Sequence, residues 1–217
     1  MTRILGSVLA LAALLAIGTQ APAAAGSAHP TSVHVSSRFF GLHDGSGLAY
    51  GRVGFGSIRL WDARVTWADI ETSPGEYQWD RLDTLVREAQ EHHTQVTLVL
   101  AMTPLFYASS SSLPPDDLGH YRDFVRAVMT RYRSFEGLRG ILDYQVWNEG
   151  NVATFWTGTP QQLAQLTRIV DQVRDQVDPG ATVVAPSFTV RLPGQRRWLS
   201  HYISRRVGGH PVWGTST

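Results

Sequence analysis

The 217 residues predict an α/β fold, a (β/α)8 barrel of which about the first five to six βα units are present. Three observations carry this expectation. Short apolar runs alternate with helical patterns along the chain. From the second run onward their starts fall roughly 40 residues apart, the spacing of repeated βα units. Polar residues collect just after the runs, where a barrel carries its chemistry.

The strand candidates are "RFFGLH" (38–43), "GSIRLW" (56–61), "QVTLVLA" (95–101), "ILDYQVW" (141–147) and "TVVAPS" (182–187). The third is almost continuously apolar, as expected of a parallel strand covered on both faces. Between them lie amphipathic patterns. Leu82, Leu85, Val86 and Ala89 share one helical face. Leu118, Tyr121, Val125, Val128 and Tyr132 share another, and Leu163, Leu166, Val170, Val173 and Val177 a third. The third of these helices should start on Thr159 as N-cap with Pro160 at its first position, and Asp178-Pro179-Gly180 should stop it. A further helix is expected from about Gln195 to Arg206, and "GGHPVWGTST" reads as the approach to a sixth strand. A doubly wound open sheet is the other architecture such a repeat allows. It is disfavoured because "GLHDGSG" after the first run is not G-x-G-x-x-G and no helical pattern follows it.

Composition bounds the chemistry. The chain is 43% hydrophobic and 17% charged, enough for a sizeable core. It has no cysteine, so neither disulfides nor thiolate metal sites are open to it. No H-x-H or H-E-x-x-H cluster occurs, so neither a metal nor a cofactor is expected. Residues 1–28 read as a secretory signal: Arg3 is the positive end, Ile4 to Ile17 the apolar stretch, and Ala21 to Ala28 a run of small residues. A secreted protein, off the membrane once the signal is removed, follows from that. Without Arg3 the acidic and basic residues balance, which gives no reason to expect a nucleic-acid partner. Oligomeric state is not legible.

His43 and Asp44 follow the first strand, Asp62 the second, Thr103 the third, and Asn148 and Glu149 the fourth. A strand-end carboxyl group at Glu149, flanked by Trp147 and an amide, is suited to general-acid chemistry in a pocket.

Here the residues resemble the retaining glycoside hydrolases of the large (β/α)8 clan, clan A. The likeness is nearest to the β-xylosidase and α-L-iduronidase family (family 39), with the cellulase-type family 5 behind it. It is carried by "FFGLH", "IRLWDARVTWADIETSPGEYQWDRLD", "LVLAMTP" and "YQVWNEGN", and covers about residues 38 to 190. The resemblance implies hydrolysis of O-glycosidic bonds in oligo- or polysaccharides by a double displacement. It implies Glu149 as acid/base, Asn148 as ligand of a sugar 2-OH, and Arg59 close to the catalytic carboxylates. Arg59 is also compatible with an ion pair inside the barrel to Asp143 or another acid. Trp156 is either a sugar-stacking platform or a cover for the barrel rim. His43 either contacts sugar hydroxyls or is structural, and Trp61 and Trp67 are read as packing.

Retention requires a second carboxyl group about 5–5.5 Å from the first. The six glutamates are residues 71, 76, 88, 91, 136 and 149, so none follows Glu149. Asp171, Asp175 and Asp178 are expected to face solvent, and only Asp44 and Asp62 sit at the correct end of the strands. Residues 29–217 are therefore expected to be the N-terminal part of a catalytic barrel that lacks its nucleophile, with little or no activity alone. The alternative is a secreted, non-catalytic partial barrel that binds carbohydrate through Trp156, Asn148 and Arg59. An unrelated barrel enzyme is the weakest reading, since no phosphate loop or metal cluster supports it.

Overall fold

The structure, a computed structural model, describes residues 35–43, 50 and 54–212. Residues 1–34, which include the expected signal sequence, Asp44 and residues 213–217 lie outside the described residues. All five expected strands form: β1 (Gly41–His43), β2 (Ser57–Leu60), β3 (Gln95–Leu100), β4 (Asp143–Val146) and β5 (Thr182–Val184). They make one parallel sheet in which each strand pairs with its neighbour in sequence. A doubly wound sheet reverses its strand order at a switch point. This one does not reverse, so it winds in one direction, as a barrel does.

Helices connect the strands: α1 (Asp80–Glu91), α2 (Leu118–Tyr132), α3 (Pro160–Val177) and α4 (Pro193–Ile203). The α3 start matches expectation. The Thr159 side chain accepts the Gln162 N–H, and the Gln162 side chain answers at the Thr159 N–H, so two otherwise unpaired donors are satisfied. α4 begins two residues before its expected start and ends three before its expected end, because Pro193 supplies a ready-made first helical residue.

The two faces of the sheet differ. Ile58, Leu60, Val96, Leu98, Leu100, Tyr144 and Val146 are buried in one core with the apolar faces of the helices. The alternate residues are largely polar. His43, Arg59, Thr97, Asp143 and Thr182 stand in one register row across all five strands. This corrects the expectation for β3. Only its last three residues are a continuous buried run, while Gln95 and Thr97 are half-buried on the polar face.

Three further departures have local causes. Residues 206–211, at the approach to the expected sixth strand, add no strand to the sheet, and residues 213–217 lie outside the described residues. Arg206–Val207 and His210–Pro211 pair as a small antiparallel hairpin around Gly208 and Gly209, both at positive φ, where glycine is at no steric disadvantage. Asp178 does not face solvent. It is 3% exposed and takes two hydrogen bonds of 2.8 Å from Arg139, which ties the end of α3 to the entry of β4. Residues 67–77 form a helical turn (Trp67–Ile70) and a hairpin that sequence periodicity did not indicate. Thr66 caps that turn in a capping box with Asp69.

That segment is fixed by Trp67 and Glu71. Trp67 is fully buried and stacks on Phe124 at 5.3 Å, so it is packing, as expected, and so is the 8%-exposed Trp61. Its indole N–H donates to Glu71, which also accepts from the Gly75 N–H and the Tyr107 hydroxyl. A carboxylate 2% exposed needs such donors, because an unpaired buried charge is costly. Next to it, Asp83 of α1 accepts from Arg131 and from the Tyr132 hydroxyl of α2.

Burial pushes the Asp83 carboxyl up, but the Arg131 and Tyr132 hydrogen bonds and the Arg131 charge outweigh it and hold it below its ordinary value. The unfolded chain then binds the proton first as pH falls below about 3.9, so this part of the stability is present at neutral pH and drains on acidification. Asp83→Asn is expected to cost about 1.5–3 kcal/mol at pH 7, in the range of one hydrogen bond to a charged group. It should also flatten the loss of stability between neutral and acidic pH. Urea titration of both proteins across that pH range checks the sign and the slope.

Candidate active site

The site is built on the polar face, at the C-terminal ends of β2 and β4. Arg59, third in β2, is half-buried there. Its Nε donates to Gln145 Oε1 at 2.8 Å and its Nη2 to Asn148 Oδ1 at 2.9 Å. Gln145 is held in turn, its amide donating to the Trp147 carbonyl at 3.0 Å. The alternative pairing of Arg59 with Asp143 does not form. Asp143 accepts instead from Gln95 and Thr97 of β3, which flank it lower on the face. Both direct partners of Arg59 are therefore neutral. Burial lowers the guanidinium's proton affinity, and attraction to Asp62 and Glu149 works against that. Glu149 and Asp62 thus lie within electrostatic reach of one buried cation.

After Val146 the chain turns sharply. Trp147 has φ 59° and Glu149 φ 42°, a left-handed region that non-glycine residues enter at a cost of about 1–3 kcal/mol each. The turn is held from several sides. The Trp147 N–H donates to the Leu100 carbonyl, and its fully buried indole donates to the Phe155 carbonyl at 2.7 Å. The Glu149 N–H donates to Ser187 Oγ at 2.8 Å and the Gly150 N–H to the Ser187 carbonyl at 3.0 Å. A Cβ at Gly150 would stand 2.4 Å from Leu163 Cδ2 of α3, so a larger residue there would require that side chain to move. Asn148 is 6% exposed and Glu149 half-exposed. The Glu149 carboxylate accepts no hydrogen bond from the described residues, which leaves it open to an incoming group.

The other expected site residues fall as follows. His43, at the end of β1, faces Asp62 at 3.3 Å through Nε2 and the Arg59 carbonyl at 3.2 Å through Nδ1. It therefore belongs to the same strand-end cluster as Arg59. Trp156 is not a platform. It is 3% exposed and packs edge-on against Trp147 at 4.8 Å, so it braces the 147–150 turn from behind. Thr103 is fully buried and its hydroxyl donates to the Leu113 carbonyl, a structural role in the loop 103–117. Ser112 of that loop bonds Thr157 beyond β4, so the two rim loops are joined. Asp171 is engaged by Arg168 and Arg174 along α3, away from the strand ends. Among the described residues no group of three or more His, Asp or Glu is arranged to hold a metal ion.

Sequence reading missed Gln145 and Ser187. Gln145 carried a signal, a polar residue alternating with Tyr144 and Val146. Ser187 carried none, because its role depends on β5 ending at Val184 and the loop beyond it folding back over Asn148.

No family model matches the chain. Over 102 residues, 46% of the chain and 20% of the relative, it is 26% identical to a β-xylosidase of Geobacillus stearothermophilus. Its fold is similar to a glucosidase from Croceicoccus marinus, with TM-score 0.54 and 16% identity over 68% of this chain and 34% of that one. It is likewise similar to xylanase 10B from Thermotoga maritima, with TM-score 0.55 and 13% identity over 76% of this chain and 54% of that one. The chain thus spans less than two thirds of each. The fold is an incomplete (β/α)8 barrel, and the likeness to a β-xylosidase agrees with the resemblance drawn from the strand-end residues.

The Arg59 fork gives a direct test. Arg59→Lys keeps the charge but cannot bond Gln145 and Asn148 together, since an ammonium lacks the planar fork. It is expected to destabilise the chain by about 1–3 kcal/mol through the acceptors it leaves unpaired. Equal denaturation midpoints for the two proteins would contradict the assignment.

Proposed function

We propose that the chain carries the acid/base half of a glycoside hydrolase site, acting on O-glycosidic bonds of oligo- or polysaccharides by a retaining double displacement. Glu149 protonates the leaving oxygen in the first step and takes a proton from water in the second. Asn148 holds a sugar hydroxyl, Arg59 orients Asn148 and balances charge, and His43 with Asp62 borders the pocket. The leader 1–28 makes it a secreted protein. The observation that carries this reading is the open Glu149 carboxylate beside Asn148 at a strand end, on a strained turn held over a buried arginine.

Retention needs a nucleophilic carboxylate, and the reading places none within the 217 residues. Asp62 is at the correct end, but it is paired with His43 and its side chain is 54% exposed. The alternative of a purely carbohydrate-binding partial barrel loses its platform with the burial of Trp156, and the hydrolase reading is favoured.

Two measurements test this. The purified chain is expected to release little or no nitrophenol from nitrophenyl β-xyloside or β-glucoside. Release that disappears in Glu149→Gln would place the second carboxylate within the chain and overturn the missing-nucleophile reading. Titration with xylobiose, followed by amide shifts, is expected to move the signals of residues 147–150, and Asn148→Ala should weaken that response roughly tenfold, the loss of one hydrogen bond. Shifts confined to other residues would contradict the site.

A further inference from the structure

We infer that Ser187 is a positioning residue of this site: it fixes the Asn148 carboxamide so that the site offers a ligand a hydrogen-bond donor and no acceptor at that point. The inference rests on the proposed function for its consequence in catalysis, but its geometry stands alone.

The Ser187 hydroxyl accepts the Glu149 N–H at 2.8 Å. With that lone pair used, its own proton is turned toward Asn148 Oδ1, 3.3 Å away. The same Oδ1 accepts from Arg59 Nη2 at 2.9 Å. Arginine can only donate, so the atom facing it must be the amide oxygen and not the nitrogen. Two donors fill the two lone pairs of that oxygen. The polar group Asn148 has left is Nδ2, with its two protons. A ligand atom there must accept, as a hydroxyl oxygen can. An ammonium group cannot accept, and it would also approach the Arg59 guanidinium. The site therefore selects a hydroxyl over a protonated amine at the sugar carbon facing Asn148.

The Ser187 loop is latched independently. Asn151 donates to the carbonyls of Thr189 and Gln195 and accepts the Thr189 N–H. Loss of the Ser187 hydroxyl therefore leaves the loop in place while releasing Asn148 and Glu149, which separates positioning from folding.

The test is nuclear magnetic resonance of the isotope-labelled chain, with no ligand needed. In Ser187→Ala the Glu149 amide proton is expected to exchange roughly tenfold faster, as one lost hydrogen bond allows. The Asn148 carboxamide carbon and Nδ2 protons should shift. Ser187→Thr, which keeps the hydroxyl, should restore both. Thr189→Ala loosens the same loop without touching Asn148 and should leave the Asn148 signals in place. Unmoved Asn148 signals in Ser187→Ala, or equal movement in Thr189→Ala, would overturn the inference. Failure of xylobiose to shift residues 147–150 while these signals behave as stated would instead count against the proposed function.

Discussion

The half-buried guanidinium of Arg59 is the interaction on which the rest of the site depends. A charge taken out of water must be repaid by hydrogen bonds or by an opposite charge. Here both direct bonds go to neutral amides, Gln145 and Asn148, which join β2 to β4 across the intervening β3. The charge is balanced only at longer range by Asp62 and Glu149. Such an arrangement leaves the carboxylates unbonded to their cation. Glu149 keeps its lone pairs for a ligand, Asp62 is paired with His43, and both still stabilise the arginine.

The scaffold makes this possible by separating its two faces. All helices draw the apolar residues of the sheet to one side, where dispersion and hydrophobic burial accumulate. The other side keeps a polar row from His43 to Thr182. Three of the left-handed non-glycine residues among the described residues stand at the strand ends of the site. The left-handed residues Met102, Trp147 and Glu149 all follow β3 or β4. The core behind them absorbs the cost, with Trp147 wedged between Trp156 and the sheet. Rigidity also reaches the rim through the Ser112–Thr157 contact, which couples the loops after β3 and β4.

Much of this was legible in the sequence. Periodicity gave the five strands and four helices, because apolar spacing directly reflects which face is buried. Position after a strand pointed to Asn148, Glu149 and His43, and the family resemblance pointed to Arg59 within β2; the structure places these residues in one strand-end cluster. What escaped depends on partners distant in sequence. Arg139 makes Asp178 a buried residue, although its helical face reads as solvent. Trp156 reads equally well as platform or packing until the neighbouring indole of Trp147 is known. Ser187 lies 38 residues from Glu149, and only the parallel pairing of β4 with β5 brings them together. The hairpin at 71–77 is too short for either period to register.

The structure also holds a groove of about 920 Å³ on the helix side, lined by Tyr77, Trp79, Asp123 and Phe135, far in sequence from the strand-end cluster. The most direct measurement is a crystal structure of the chain soaked with a β-linked disaccharide such as xylobiose. The account predicts density at the strand ends, with a sugar hydroxyl on Asn148 Nδ2 and the bridging oxygen within hydrogen-bond reach of the Glu149 carboxyl. Density only in the helix-side groove, with the Glu149 carboxyl turned away from any sugar, would contradict it.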